Sequence, residues 1–236
     1  MDKYYVKARL LPTILTALPL VAVYLFILSP YLAEYLKKIL PYLPTVGDIS
    51  FSVGIVMFLV QVNRTLSKEL LQSNYFKGET KMPTTDFLLF SHNEYSTETK
   101  GKIRKKIKEH FDMEMFDAQR EAADEIRSRF LIKEAVGQIR VLLKDNEMLL
   151  NHNIEYGALR NFLGGCIQAV FFSLVLIIKA LFFPYDKGLL IVAVIFLVIY
   201  GSFLLMSKWL IQKYGNNYAR ILYQQFLALP KPSANP

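Results

Sequence analysis

The 236-residue chain is 53% hydrophobic and 20% charged, with a formal net charge of +8. Such a chain folds only if charge and grease are segregated, and Arg64–Arg160 indeed holds 17 Lys/Arg and 16 Asp/Glu between largely apolar flanks. One cysteine, Cys166, and three scattered histidines exclude a disulfide framework and a cysteine–histidine metal cluster.

A hydrocarbon core needs roughly 20 helical residues. Leu10–Leu28 fits, with Pro12 near its start and Pro19 as an expected kink. The basic start Met1–Arg9 before an apolar run has the form of a signal peptide, but no small-residue cleavage pattern follows it. A second, shorter span is expected over Ile49–Val62. Asp48, Ser52, Leu59 and Asn63 fall near one face of it, so polar ends around an apolar middle suit a gated, pore-lining helix. The alternative places Asp48 and Asn63 simply at the two interfaces.

The middle block reads as helical. Pro83-Thr84-Thr85-Asp86 is a turn opening the apolar run Phe87–Phe90. In Lys100–Met115, Ile103, Ile107, Phe111 and Met115 recur at every fourth position and share a stripe. The remaining faces carry Lys102, Arg104, Lys105, Lys106 and Lys108. This run is a solvated face, a contact for anionic lipid, or a polyanion surface in which Arg104, Lys105 and Lys108 hold phosphates. Asp117–Lys144 is expected as one amphipathic helix burying Ala122, Ile126, Phe130 and Ile139. Glu147–Arg160 then leads straight into the third apolar run. Asn151, Asn153, Tyr156 and Arg160 within it are candidates for base-edge and phosphate contact, or for an interfacial belt. His152 with Glu155, three residues apart, could support proton transfer but reads first as a solvated surface pair.

Phe162–Phe183 and Leu189–Met206, joined by Pro184–Gly188, form a membrane hairpin, and Gly164-Gly165 permit close helix contact. Lys3, Lys7, Arg9, Arg64, Lys68, Arg160, Lys208, Lys213 and Arg220 flank the spans on one side. By the positive-inside rule both termini and the middle block face the cytoplasm of a bacterial inner membrane. The expected fold is all-α and polytopic, with four transmembrane helices and a helical cytoplasmic domain. Its parts are residues 1–63, a helix pair; 64–160, the cytoplasmic sensing domain; 161–207, a hairpin; and 208–236, a tail. No GxxxxGK[ST], HExxH, GxSxG or CxxC motif occurs, so an enzyme is not expected and no cofactor is implied.

Pro83–Leu89, Ile132–Arg140 and Asn153–Gly157, set in this order of spans, resemble blocks of the small four-helix transmembrane effectors of bacterial anti-phage defence, in particular the Hailong transmembrane effectors. The resemblance implies a homo-oligomeric ion channel in the lipid bilayer, a tetramer, controlled by a nucleotide-derived ligand from a partner nucleotidyltransferase. In the Hailong case that ligand is an oligodeoxyadenylate that holds the channel shut. The competing expectation is a non-channel membrane anchor or sensor that recruits a soluble partner enzyme.

Overall fold

A computed structural model describes residues 3–29, 45–77 and 80–230, with the backbone alone over 45–52. In chain order the helices are α1 (Lys3–Leu28), α2 (Thr45–Leu66, continued by the helical segments Ser67–Gln72 and Ser73–Phe76), α3 (Pro83–Asp86), α4 (Thr97–Phe111), α5 (Ala118–Ala123), α6 (Glu125–Leu142), α7 (Glu147–Phe182), α8 (Lys187–Leu205) and α9 (Ser207–Ala228). There is no strand among the described residues. Two compact units result: Met1–Leu71 with Gly157–Lys208, and Gln72–Tyr156 with Trp209–Pro236. The side chains of Asp48 and Ser52, the loop charges Glu34, Lys37 and Lys38, and the tail beyond Pro230 lie outside the described residues.

In the first unit, α1, α7 and α8 are long and apolar enough to cross a bilayer. α2 runs for 22 residues, about 33 Å at the helical rise, well past the apolar run that marks it in the sequence. Burial here reverses the order of a soluble protein. α1 buries Ala8, Pro12, Thr13, Thr16 and Pro19 and exposes Leu11, Ile14, Leu15, Leu18, Val21 and Leu25. α8 buries Leu189, Ala193 and Tyr200 while Ile191, Val194, Ile195, Val198 and Ile199 face outward. Apart from Val23 and Leu189, which pack in one cluster, small and polar groups lie inside these two helices and branched aliphatics outside, the arrangement that favours helix packing in hydrocarbon.

The two prolines of α1 have specific counterparts. Proline has no N–H for the carbonyl four residues before it, so Pro12 offers none to Ala8 and Pro19 none to Leu15. Asn161 Nδ2 on α7 donates to the Ala8 carbonyl at 2.6 Å. The Tyr200 hydroxyl on α8 donates to that of Leu15 at 2.7 Å. Where no water is present to do so, side chains satisfy the freed backbone groups. The helix breaks its regular course at Ala17, between Leu11–Thr16 and Leu18–Val23.

The second unit is built on Phe87, Leu88 and Leu89, Ile103 and Ile107 of α4, Ile132, Ala135, Val136 and Ile139 of α6, and Tyr218, Ala219, Leu222, Tyr223 and Phe226 of α9. Phe111 and Met115 pack at its edge. Residues 208–236, expected as a tail, thus include a core helix. Its aromatic stripe lies on the far side of the chain from its partners, so only the folded unit shows what it covers. Residues 117–144 form two helices, because Asp124 leaves the helical conformation (φ −145°, ψ 75°) and its carboxylate caps α6 through Arg127 N at 3.0 Å. Ile126 and Phe130, expected inside, are 71% and 50% exposed, and Ala122 is exposed too. Ile126 and Phe130 lie on the opposite side of α6 from the stripe centred on Ile132 and Ile139. Caps at Ser96, Asp117, Asn146 and Asp186 set the starts of α4, α5, α7 and α8.

Candidate functional site

The first unit holds an amide–hydroxyl seam. Asn63 near the end of α2 is 2% exposed. Its Nδ2 donates to Thr13 Oγ1 at 3.1 Å and Thr16 Oγ1 at 3.4 Å, and its Oδ1 accepts from Gln168 Nε2. The threonine hydroxyls donate in turn to backbone carbonyls of α1, Thr13 to Arg9 and Thr16 to Pro12. Helices can approach this closely because α7 presents glycines there. A Cβ on Gly164 would overlap the Asn63 carbonyl and lie 2.8 Å from Ser67 Cβ, and one on Gly165 would run into the Thr16 side chain. Beside the seam, Thr13, Thr16, Ala17, Leu20, Leu59, Asn63, Gln168 and Phe172 line a cleft of about 10 Å³, the space of one water-sized sphere. Of the expected pore-lining residues, Asn63 and Leu59 therefore meet at one place, with Asn63 turned among the helices of its own chain. The side chains of Asp48 and Ser52 fall outside the described residues.

The basic run of α4 divides. Lys105 and Lys108 are exposed, Lys108 within 3.4 Å of Glu114. Arg104 points inward, where Nη2 donates to Glu121 Oε2 at 2.7 Å and the Leu88 carbonyl at 2.5 Å, and Nη1 to the Phe116 carbonyl. Its guanidinium lies 4.1 Å from the centre of the Phe90 ring. Glu121 also accepts from Phe90 N at 2.5 Å and Ser128 Oγ at 2.9 Å. Arg104 thus belongs to the interior of the unit and not to the solvent face on which a polyanion would lie. Lys106 is likewise drawn in, donating to the carbonyls of Leu227 at 2.8 Å and of Leu229, and burial pushes its ammonium pKa down. Lys100, which donates to the His92 carbonyl, is shifted the same way by burial.

On α7, Asn153, Tyr156 and Arg160 fall at i, i+3 and i+7 and so share a helix face. Asn151 is exposed and turned about 160° from Asn153 at 100° per residue, so these four candidates do not converge. Tyr156 is buried, and Asn153 and Arg160 are half-buried. His152 Nδ1 lies 3.3 Å from Glu155 on the surface. No group of three or more His, Cys, Asp or Glu able to hold a metal occurs among the described residues.

A groove that the sequence reading passed over runs along α9, lined by Trp209, Gln212, Lys213, Asn216, Asn217 and Arg220. The available signal was the chain's sole tryptophan followed by amides and cations at three- and four-residue steps. Counting its lysines only towards topology hid that pattern. No protein-family model, curated protein or solved structure matches this chain. Function rests on the chemistry of these sites.

Proposed function

We propose that this chain is a ligand-controlled, pore-forming effector of the bacterial inner membrane, of the anti-phage defence type, working as a homo-oligomer. In this reading α1, α2, α7 and α8 are four spans, both termini and the second unit are cytoplasmic, and the ligand is a nucleotide or oligonucleotide from a partner enzyme. The observation that carries it is the Asn63–Thr13–Thr16–Gln168 seam with its water-sized cleft among otherwise apolar helices. Polar side chains inside a membrane bundle are costly and mark either a packing staple or a path for water and ions. Leu59 beside the cleft supplies the apolar closure that keeps such a path shut. Helix α7, continuous over 36 residues from Glu147 to Phe182, is the element through which a ligand-dependent change passes to the seam. A ligand shifts that equilibrium only through different affinity for the two states.

The second reading, an anchor that recruits a soluble partner, is favoured by one observation, the exposed apolar face of Ile126, Phe130 and Val141 on α6. Purified protein in a planar bilayer separates them. The channel reading expects discrete conductance steps, and a raised basal leak in Leu59→Ser, which wets the cleft. A parent and a Leu59→Ser variant that both insert and pass no current would remove it in favour of the anchor.

A further inference from the structure

The groove runs along a face of α9 that the apolar core of the second unit leaves open, with Glu94 reaching it at Arg220. Ile211, Tyr218 and Leu222, at about 180–220° from Trp209 at 100° per residue, are buried on the opposite side of the helix, so α9 cannot rotate to hide the groove. The groove holds about 310 Å³. Lys213 Nζ lies 4.9 Å from the Trp209 ring centre, a cation held against an aromatic face. Lys213 has no carboxylate partner among the described residues. Further along, Arg220 Nε donates to Glu94 at 2.6 Å and Nη1 to Asn217 Oδ1 at 3.4 Å. These bonds fix the plane of the guanidinium. The amide side chains of Gln212 and Asn216 line the same groove.

Position along the chain selects the ligand. Trp209 follows Leu205, the last residue of the apolar helix α8, by four residues, and four residues reach at most about 14 Å. Tryptophan and lysine at that distance from a span belong to the headgroup layer. The exposed Lys208 adds a further positive charge beside them. Because Lys213 already occupies one face of the indole, the groove is better made for a phosphate than for a stacked base.

We propose that the Trp209–Arg220 groove binds the phosphate of an anionic phospholipid headgroup, with Lys213 as its cation, Gln212 and Asn216 as amide donors, and Trp209 as the interfacial wall. The proposal rests on α8 spanning a bilayer and not on the chain conducting ions. A protein that passes no current leaves it intact.

Trp209 is the only tryptophan, so its fluorescence reports on the groove without mutation. The full chain is placed in nanodiscs containing equal mole fractions of phosphatidylcholine and phosphatidylglycerol, with one or the other brominated. Brominated phosphatidylglycerol is expected to quench more strongly, reflecting a local preference of about five-fold for one lysine at an anionic surface. Lys213→Gln should abolish the excess and Lys213→Arg keep it. Equal quenching by the two lipids in the parent overturns the proposal, as does an excess that Lys213→Gln leaves unchanged. Inorganic phosphate added to pure phosphatidylcholine nanodiscs separates the two sources of phosphate. An emission change there, without any phosphatidylglycerol excess, overturns the lipid assignment.

Discussion

At the scale of single residues, the Arg104–Glu121 pair is the most exacting element of the second unit. Both side chains are under a tenth exposed, and the carboxylate accepts from a guanidinium, a backbone amide and a serine at once. Taking away one partner of a buried pair strands the other charge, at a cost of about 3–5 kcal/mol. Glu121→Leu should therefore lower the unfolding free energy by that order. Lys105→Gln, one residue from Arg104 yet on the exposed face, should stay within about 0.5 kcal/mol of the parent. Chemical denaturation of the two variants in one detergent checks the contrast, and equal losses would mean that Arg104 is not held internally. A second consequence concerns pH. Burial, helped by the neighbouring Glu94 and opposed by Arg220, pushes the Tyr95 phenol from 10 up to about 12. The fold thus favours the neutral phenol. Its stabilising contribution is fully present below pH 10 and is lost as pH rises through about 12. Comparing the phenolate absorbance of the parent with Tyr95→Phe should show no Tyr95 signal at pH 10 to 11; a signal there contradicts the assignment.

At the scale of elements, α1 is a helix interrupted by its own prolines and repaired by its neighbours. If Tyr200 supplies the donor that Pro19 withholds from Leu15, the two positions are coupled. Tyr200→Phe should cost about 1 kcal/mol in the parent. In a Pro19→Ala background, where residue 19 carries an N–H, the same change should cost much less. A double-mutant cycle on thermal stability reads the difference directly, and additive effects would dissolve the link. The glycines of α7 belong to the same scale. Gly164 and Gly165 are needed for space, since any side chain there would meet α2 or α1. Gly165→Leu should separate α7 from the seam and break the bond between Asn63 and Gln168. The loss is expected as reduced thermal stability, larger than that of Gly137→Leu on α6, where a Cβ meets nothing within 4 Å.

At the scale of the whole molecule, topology decides which side of the bilayer each unit meets. The lysine and arginine bias predicts that both termini and the second unit lie in the cytoplasm. With Cys166→Ser as background, single cysteines over 40–46 should react with a membrane-impermeant reagent added outside intact cells. Cysteines over 100–110 should react only after lysis. The opposite pattern would invert the topology. It would also place the α9 groove at the outer leaflet.

Much of the architecture is written locally. Helical periodicity, the capping residues Ser96, Asp117, Asp124, Asn146 and Asp186, and the long apolar runs are properties of a few neighbouring residues, so the sequence by itself determined an all-helical chain with apolar helices flanking a charged block. It also singled out Ile103 and Ile107, which the structure buries completely, and Asn63 as a polar end of the second apolar run. What the tertiary structure alone decided involves residues far apart in the chain. Arg104 and Lys105 are equivalent as sequence, and only Glu121, seventeen positions on from Arg104, distinguishes the inward one. Pro12 and Pro19 look like simple defects until Asn161 and Tyr200 arrive from 153 and 185 residues away to bond the carbonyls they strand. Ile126 and Phe130 fit a buried stripe as well as Ile132 and Ile139 do; the core selects the face opposite theirs because that face meets α4 and α9. A period names the faces of a helix, but which face is covered depends on partners that local sequence does not encode.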